Sequence, residues 1–128
     1  MEQMLTSFLS KANVFAVVGA SRHEEKYGFK VYTDLLEAGY IVYPVNPNEK
    51  EILGNSCFAS LAVLPQLPDV VVFVTQPSVT ESVLELVHAL GITHVWMQPG
   101  AASAKAIAFC TAHNILLVHD VCIMIQRQ

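Results

Sequence analysis

The chain alternates short, uninterrupted apolar runs with longer stretches in which apolar residues recur every three or four positions. The short runs are 14–18 (VFAVV), 41–45 (IVYPV), 70–74 (VVVFV), 94–97 and 115–118. A continuous β-branched run without polar alternation indicates a strand covered on both faces, as in a parallel sheet. Pro44 inside the second run fits a strand end. The longer stretches predict helices. Residues 2–11 form a leading one, with Met4, Leu5, Phe8 and Leu9 on its apolar face. Residues 29–38 follow, with Val31, Leu35 and Leu36 inward and Gly39 at C′. Residues 79–89 predict a third helix, N-capped by Ser78 with Glu81 completing a capping box, and with Val83, Leu86, Val87 and Leu90 on its inner face. Residues 103–113 predict a fourth, with Ser103 as N-cap. The segment 46–67 has no clean period; it allows a brief strand at 51–53 and a short helix near 60–64.

Strand–helix–strand repeated at this spacing needs crossovers, which in a shared sheet are right-handed. The expectation is an α/β fold: a single three-layer, Rossmann-like domain over 1–128, with a mostly parallel sheet of about five strands and a leading helix within 1–12. Five strands make one mononucleotide-binding half of a doubly wound fold. Ligands of such sheets lie outside the carboxyl ends of the strands, so the loops after Val18, Val45, Val74, Met97 and Val118 are where chemistry belongs.

Composition narrows the choice of ligand. With 53% hydrophobic and 14% charged residues the chain is no disordered tail. Seven Lys and Arg against a net charge of −4 exclude broad neutralisation of a nucleic-acid backbone. Yet Arg22, Lys26 and Lys30 fall close together, which points to a small anion, or else to a solvated helix start beside Glu24 and Glu25. No apolar run is long enough to span a membrane, and the Met-Glu-Gln start lacks a basic and then apolar leader. Cys57, Cys110 and Cys122 are odd in number and widely spaced, as expected of reduced thiols in a cytoplasmic protein without a disulfide framework or a metal site.

The loop after the first run is Gly19-Ala20-Ser21-Arg22. A glycine there lets the backbone turn sharply and come close to a phosphate, while helix-start N–H groups and Ser21 hold the anion and Arg22 and Lys26 add charge. The alternative is a tight strand–helix connection with no ligand. The GxGxxG fingerprint is absent, and Asn46-Pro47 stands where a dinucleotide site has an acid; both count against NAD and FAD. Cys122 follows the last strand. It is either a small packed residue or a nucleophile, which would need a base such as His119. His23 is either solvated or near a phosphate, and Trp96 is either core or a lid.

Taken together, VVGAS at 17–21, Lys26-Tyr27-Gly28, PVNPN at 44–48, the Gly54 turn, VTQP at 74–77, VWMQPGA at 95–101 and HDVC at 119–122 resemble the CoA-binding family related to the N-terminal domain of the succinyl-CoA synthetase α subunit. The resemblance implies CoA or an acyl-CoA as ligand. It implies Gly19, Ala20, Ser21 and Arg22 near the phosphates, with Asn46 and Pro47 by the adenosine end. Thr75 and Pro77 would then run along the groove, and Gln98, Pro99 and Gly100 toward the pantetheine. Lys50, just past Asn46-Pro47, is a candidate for the 3′-phosphate. The chain departs from the family at Ala101-Ala102-Ser103, where an acidic or Asn-containing helix start is usual, and at Val121, where Arg is common. Succinyl-CoA synthetase also relies on a phosphorylated histidine in a second domain and on a partner subunit, and these 128 residues contain neither. The expected function is therefore non-catalytic binding of CoA or an acyl-CoA, with no nucleic-acid or membrane partner. Two alternatives stand beside it: a subunit of an acyl-CoA ligase-type enzyme needing a partner chain, and an NAD(P)-binding sensor module.

Overall fold

Strands that are apolar on both faces can hide only between two helical layers, and that requirement organises the chain. The structure, a computed structural model, describes residues 2–128; Met1, part of the predicted leading segment, lies outside them. Along the chain run α1 (Glu2–Leu9), β1 (Val14–Val18), α2 (Tyr27–Glu37), β2 (Ile41–Val45), β3 (Glu51–Ile52) and β4 (Asn55–Ser56). A 3-10 turn (Leu61–Val63), β5 (Val70–Phe73), α3 (Pro77–Ala89), β6 (His94–Met97), α4 (Ala104–Ala112), β7 (Leu116–His119) and α5 (Ile123–Gln126) complete it. The main sheet has the order β2-β1-β5-β6-β7. All of its pairings are parallel, with Phe15 opposite Val42 on one side and Val70 on the other. This is the expected α/β, Rossmann-like architecture.

Successive strand residues point to opposite faces, so the sheet divides its apolar side chains between two cores. Phe15, Val17, Val70, Val72, Trp96 and Val118 pack with Phe8 of α1, Val31, Tyr32 and Leu35 of α2 and Ile123 of α5. Ala16, Val18, Val71, Phe73, Val95 and Met97 pack with Leu84 and Val87 of α3 and Ala106 and Cys110 of α4. Trp96 is core: it is fully buried, and its indole N–H donates to the Val121 carbonyl at 3.0 Å.

Several boundaries differ from the sequence reading, each for a local reason. α3 begins at Pro77, two residues early, because proline is preset for the first helical turn. Its N-cap is Gln76, which makes no side-chain cap bond. Ser78 is therefore not a cap, and Glu81 instead accepts a 2.6 Å bond from the Ser103 hydroxyl, tying α3 to α4. On α3 the fully buried leucine is Leu84, while Val83, Leu86 and Leu90 are half-buried. α2 starts at Tyr27 and buries Tyr32; Leu36 is half-buried. On α1, Phe8 is buried but Met4 is exposed. The brief strand at 51–53 is β3, paired antiparallel with β4 in a small hairpin outside the main sheet. The run 115–118 becomes β7, shifted by one residue, and as an edge strand it leaves Leu116 exposed.

Candidate functional site

At the carboxyl edge of the sheet, three backbones meet at the end of β1. Gly19 has φ +93°, and a Cβ there would lie 2.3 Å from the Val74 carbonyl oxygen. A Cβ on Gly28 would lie 2.0 Å from the Gly19 carbonyl oxygen. The two glycines thus let the end of β1, the end of β5 and the start of α2 touch directly. The Gly19 N–H donates to the Val45 carbonyl at 3.0 Å, which fixes the same point to β2.

The loop between β1 and α2 is held from the β2 side. Ala20 is fully buried, so its side chain faces the core, and its carbonyl accepts a 2.8 Å bond from the Asn46 side-chain amide. The Asn46 Oδ1 accepts from the Asn48 N–H at 2.8 Å, turning the chain after β2 back toward the loop. That turn delivers Glu49. Its carboxylate accepts the Arg22 backbone N–H at 2.8 Å and lies 3.2 Å from the Arg22 Nε. The Glu49 side chain is 11% exposed, whereas the Arg22 side chain is 67% exposed. Ser21, nearly buried, accepts the His23 N–H at 3.0 Å.

Three hollows lie along this edge and run into one another. The central one, about 510 Å³, is polar and includes Gly19, Ser21, Arg22, His23, Lys26 and Glu49 in its lining. On the α3 side a mostly apolar slot of about 350 Å³ is lined by Val45, Pro47, Leu61, Val79, Val83 and Leu86 among others. It shares Gly19, Asn46 and Asn48 with the central hollow. On the other side an apolar hollow of about 570 Å³ is walled by Val74, Pro99, Ala101, Met124 and Ile125. It shares Tyr27 and Val74 with the central hollow, and Thr75 with the slot.

The far wall of the third hollow is α5, a helix the sequence reading did not contain. Gln98, 4% exposed, accepts the Ile123 N–H on Oε1 at 2.8 Å and donates from Nε2 to the Cys122 sulfur at 3.3 Å. Arg127 grips Asp34 of α2 through two bonds of 2.5 and 2.7 Å, pinning the end of α5 across the helix layer. His119, the base considered for Cys122, has its ring Nδ1 2.6 Å from the Asp120 carboxylate.

The structure brings Gly19, Ser21, Arg22, Lys26, Asn46, Pro47, Thr75, Gln98, Pro99 and Gly100 to the three linked hollows. Pro77, at the start of α3, and Ala20 line none of them; Lys50 is exposed beside the β3–β4 hairpin and also lines none. Asn46 and Gln98 spend their side-chain amides holding loops and α5 in place. Glu49, Met124 and Ile125 were not singled out from the sequence, and Tyr27 only as part of the Lys26-Tyr27-Gly28 step. Glu49 had a legible signal, since Asn46-Pro47-Asn48 is turn-forming and returns the next residue toward β1.

Residues 13–128 match the family model described as a CoA binding domain. The chain is 32% identical over 78 residues to the ADP-forming acetate–CoA ligase of Methanocaldococcus jannaschii, a stretch that is 61% of this chain and 11% of that protein. Such matches span only 10–16% of the length of the curated acetate–CoA ligases. A hypothetical protein from Pyrococcus horikoshii superposes with a TM-score of 0.92 at 30% identity, covering 98% of this chain and 89% of that one. A conserved hypothetical protein from Pyrococcus furiosus superposes with a TM-score of 0.85 at 38% identity, covering 89% of this chain and 98% of that one.

Proposed function

The chain belongs to the CoA-binding domain family, and from that premise we propose that it binds coenzyme A or an acyl-CoA along the carboxyl edge of its sheet without itself catalysing a reaction. One observation carries this reading: the hollows run apolar, polar and cation-bearing, then apolar. CoA presents the same order, a flat adenine, then phosphates, then a long arm ending in the thiol. Adenine fits the slot beside Pro47. The pyrophosphate lies over the Gly19–Gly28 loop, held by backbone N–H groups, Ser21, Arg22 and Lys26. The arm passes Thr75 toward Gln98, Pro99 and Gly100. Lys50 meets the 3′-phosphate at the solvent edge, while Ala20, Asn46 and Pro77 shape the site through the backbone.

Cys122 supports the non-catalytic part of the reading, because its polar partner is the Gln98 amide and not His119. The resemblance to part of a much longer acetate–CoA ligase supports a second reading, in which a partner chain supplies catalysis. Turnover of acyl-CoA by the purified chain alone would overturn the non-catalytic proposal. A cytoplasmic location accords with three unpaired cysteines. Among the described residues no helix is long and apolar enough to cross a membrane.

The test is a thermal-shift panel of CoA, NAD, NADP, FAD and ATP. A ligand that binds only the folded state adds about 2.7 kcal/mol of stability at one hundred times its dissociation constant. CoA is expected to give the largest shift. A larger shift with NAD would overturn the proposal in favour of a dinucleotide sensor.

A further inference from the structure

We propose that the apolar hollow walled by α5 takes, beyond the thiol end of the arm that enters past Thr75, the acyl chain of an acyl-CoA thioester, and that it selects an uncharged hydrocarbon chain over one ending in a carboxylate. This rests on the reading that CoA lies along the groove. The hollow is lined by no Lys, Arg, His, Asp or Glu. The cations of the groove, Arg22 and Lys26, lie in the central hollow, so charge complementarity places phosphate in the middle and nothing anionic at this end.

Two of the polar side chains in the wall are already committed, and the others, Gln76 and Tyr27, are neutral and exposed. The Thr75 hydroxyl pairs with the Thr80 hydroxyl at 2.6 Å, and Gln98 uses its oxygen on Ile123 and its nitrogen on Cys122. A carboxylate brought here would lose hydration and meet no cation in the lining, an unfavourable exchange. A hydrocarbon chain faces the opposite balance. At the rim stand Tyr27 and Ile125, 63% and 65% exposed, large apolar side chains that an alkyl chain would cover. The volume of about 570 Å³ lies within the range of small-molecule sites. Because Arg127–Asp34 and Gln98–Ile123 anchor α5 at both ends, the wall is formed in advance of the ligand.

Calorimetric titration of the full chain with CoA, butyryl-CoA, hexanoyl-CoA and succinyl-CoA tests the proposal. A fully buried methylene strengthens binding about fourfold. Even with partial burial, hexanoyl-CoA is expected to bind at least tenfold more tightly than CoA, with butyryl-CoA between them and succinyl-CoA no tighter than CoA. Ile125→Ser, checked for native circular dichroism, is expected to lower the hexanoyl-to-CoA affinity ratio at least twofold. CoA binding with no gain from the acyl chain, or succinyl-CoA binding most tightly, overturns this inference and leaves the CoA reading standing. No binding by CoA or any thioester overturns the CoA reading itself and this inference with it.

Discussion

Glu49 shows how one residue can alter the electrostatics of a site lined with cations by its neighbours. The position directly after β2 holds Asn46, which uses its amide on the Ala20 carbonyl, and the turn it starts brings the Glu49 carboxylate against Arg22. An acid absent from the expected place thus enters the polar hollow three residues later. Phosphate arriving there must share Arg22 with Glu49. Glu49→Gln is expected to tighten CoA binding threefold or more in a calorimetric titration; weaker binding would mean that Glu49 contacts the ligand favourably. Arg22→Ala is expected to weaken it, since a charge-assisted bond contributes roughly 1.5–3 kcal/mol, on the order of tenfold to a hundredfold in affinity. The glycines act differently. At Gly19 the sequence reading expected the backbone to approach a phosphate; the structure shows it packed against the Val74 carbonyl. Gly19→Ala adds a strained φ to a steric conflict and is expected to destabilise the fold by about 2 kcal/mol or more. Urea unfolding reads this directly, and an unchanged midpoint would refute it.

At the scale of elements, the five main strands and four of the helices were legible because their apolar periods are long enough to choose between strand and helix. The hairpin of β3 and β4 was half legible, since each strand has only two residues and no period to read. α5 left no signal at all: four residues carry less than two turns, and its stability comes from tertiary anchors on Gln98 and Asp34. Of the candidate site, the loop from Gly19 to Lys26 that lines the polar hollow was readable, whereas the α5 wall was not, because its members meet only after folding. Those anchors make a test. Asp34→Asn leaves Arg127 with a weaker partner, and the part-buried bidentate pair contributes about 1 kcal/mol. The melting temperature is expected to fall roughly 3–5 °C, with faster hydrogen exchange at the Gln126 and Arg127 amides than elsewhere. Equal protection across the molecule would show that α5 does not depend on this pair.

For the molecule as a whole, ionisation at high pH reports on both cores. Burial pushes the Cys110 thiol up to about 11 from an ordinary 9.0, and burial likewise raises the Tyr32 phenol. Between those pH values the unfolded chain releases a proton that the folded chain keeps, so stability is full below pH 9 and declines toward pH 11. The loss from Cys110 approaches roughly 2–3 kcal/mol at the upper end. Urea midpoints that are equal at pH 8 and pH 10.5 would contradict this, and Cys110→Ala is expected to flatten the decline. The sheet order also has a kinetic side. Phe15 pairs with Val70, 55 positions away, whereas His94 pairs with Leu116, 22 positions away. Loop-closure entropy makes the longer closure about 0.8 kcal/mol harder to reach. The crevice between β1 and β5 is thus among the later features to assemble, since non-local parallel pairings form slowly. A ligand laid across that seam joins the two strands that the chain alone brings together with greatest difficulty. Its effect should appear less in how fast the protein folds than in how long the folded molecule survives before it opens.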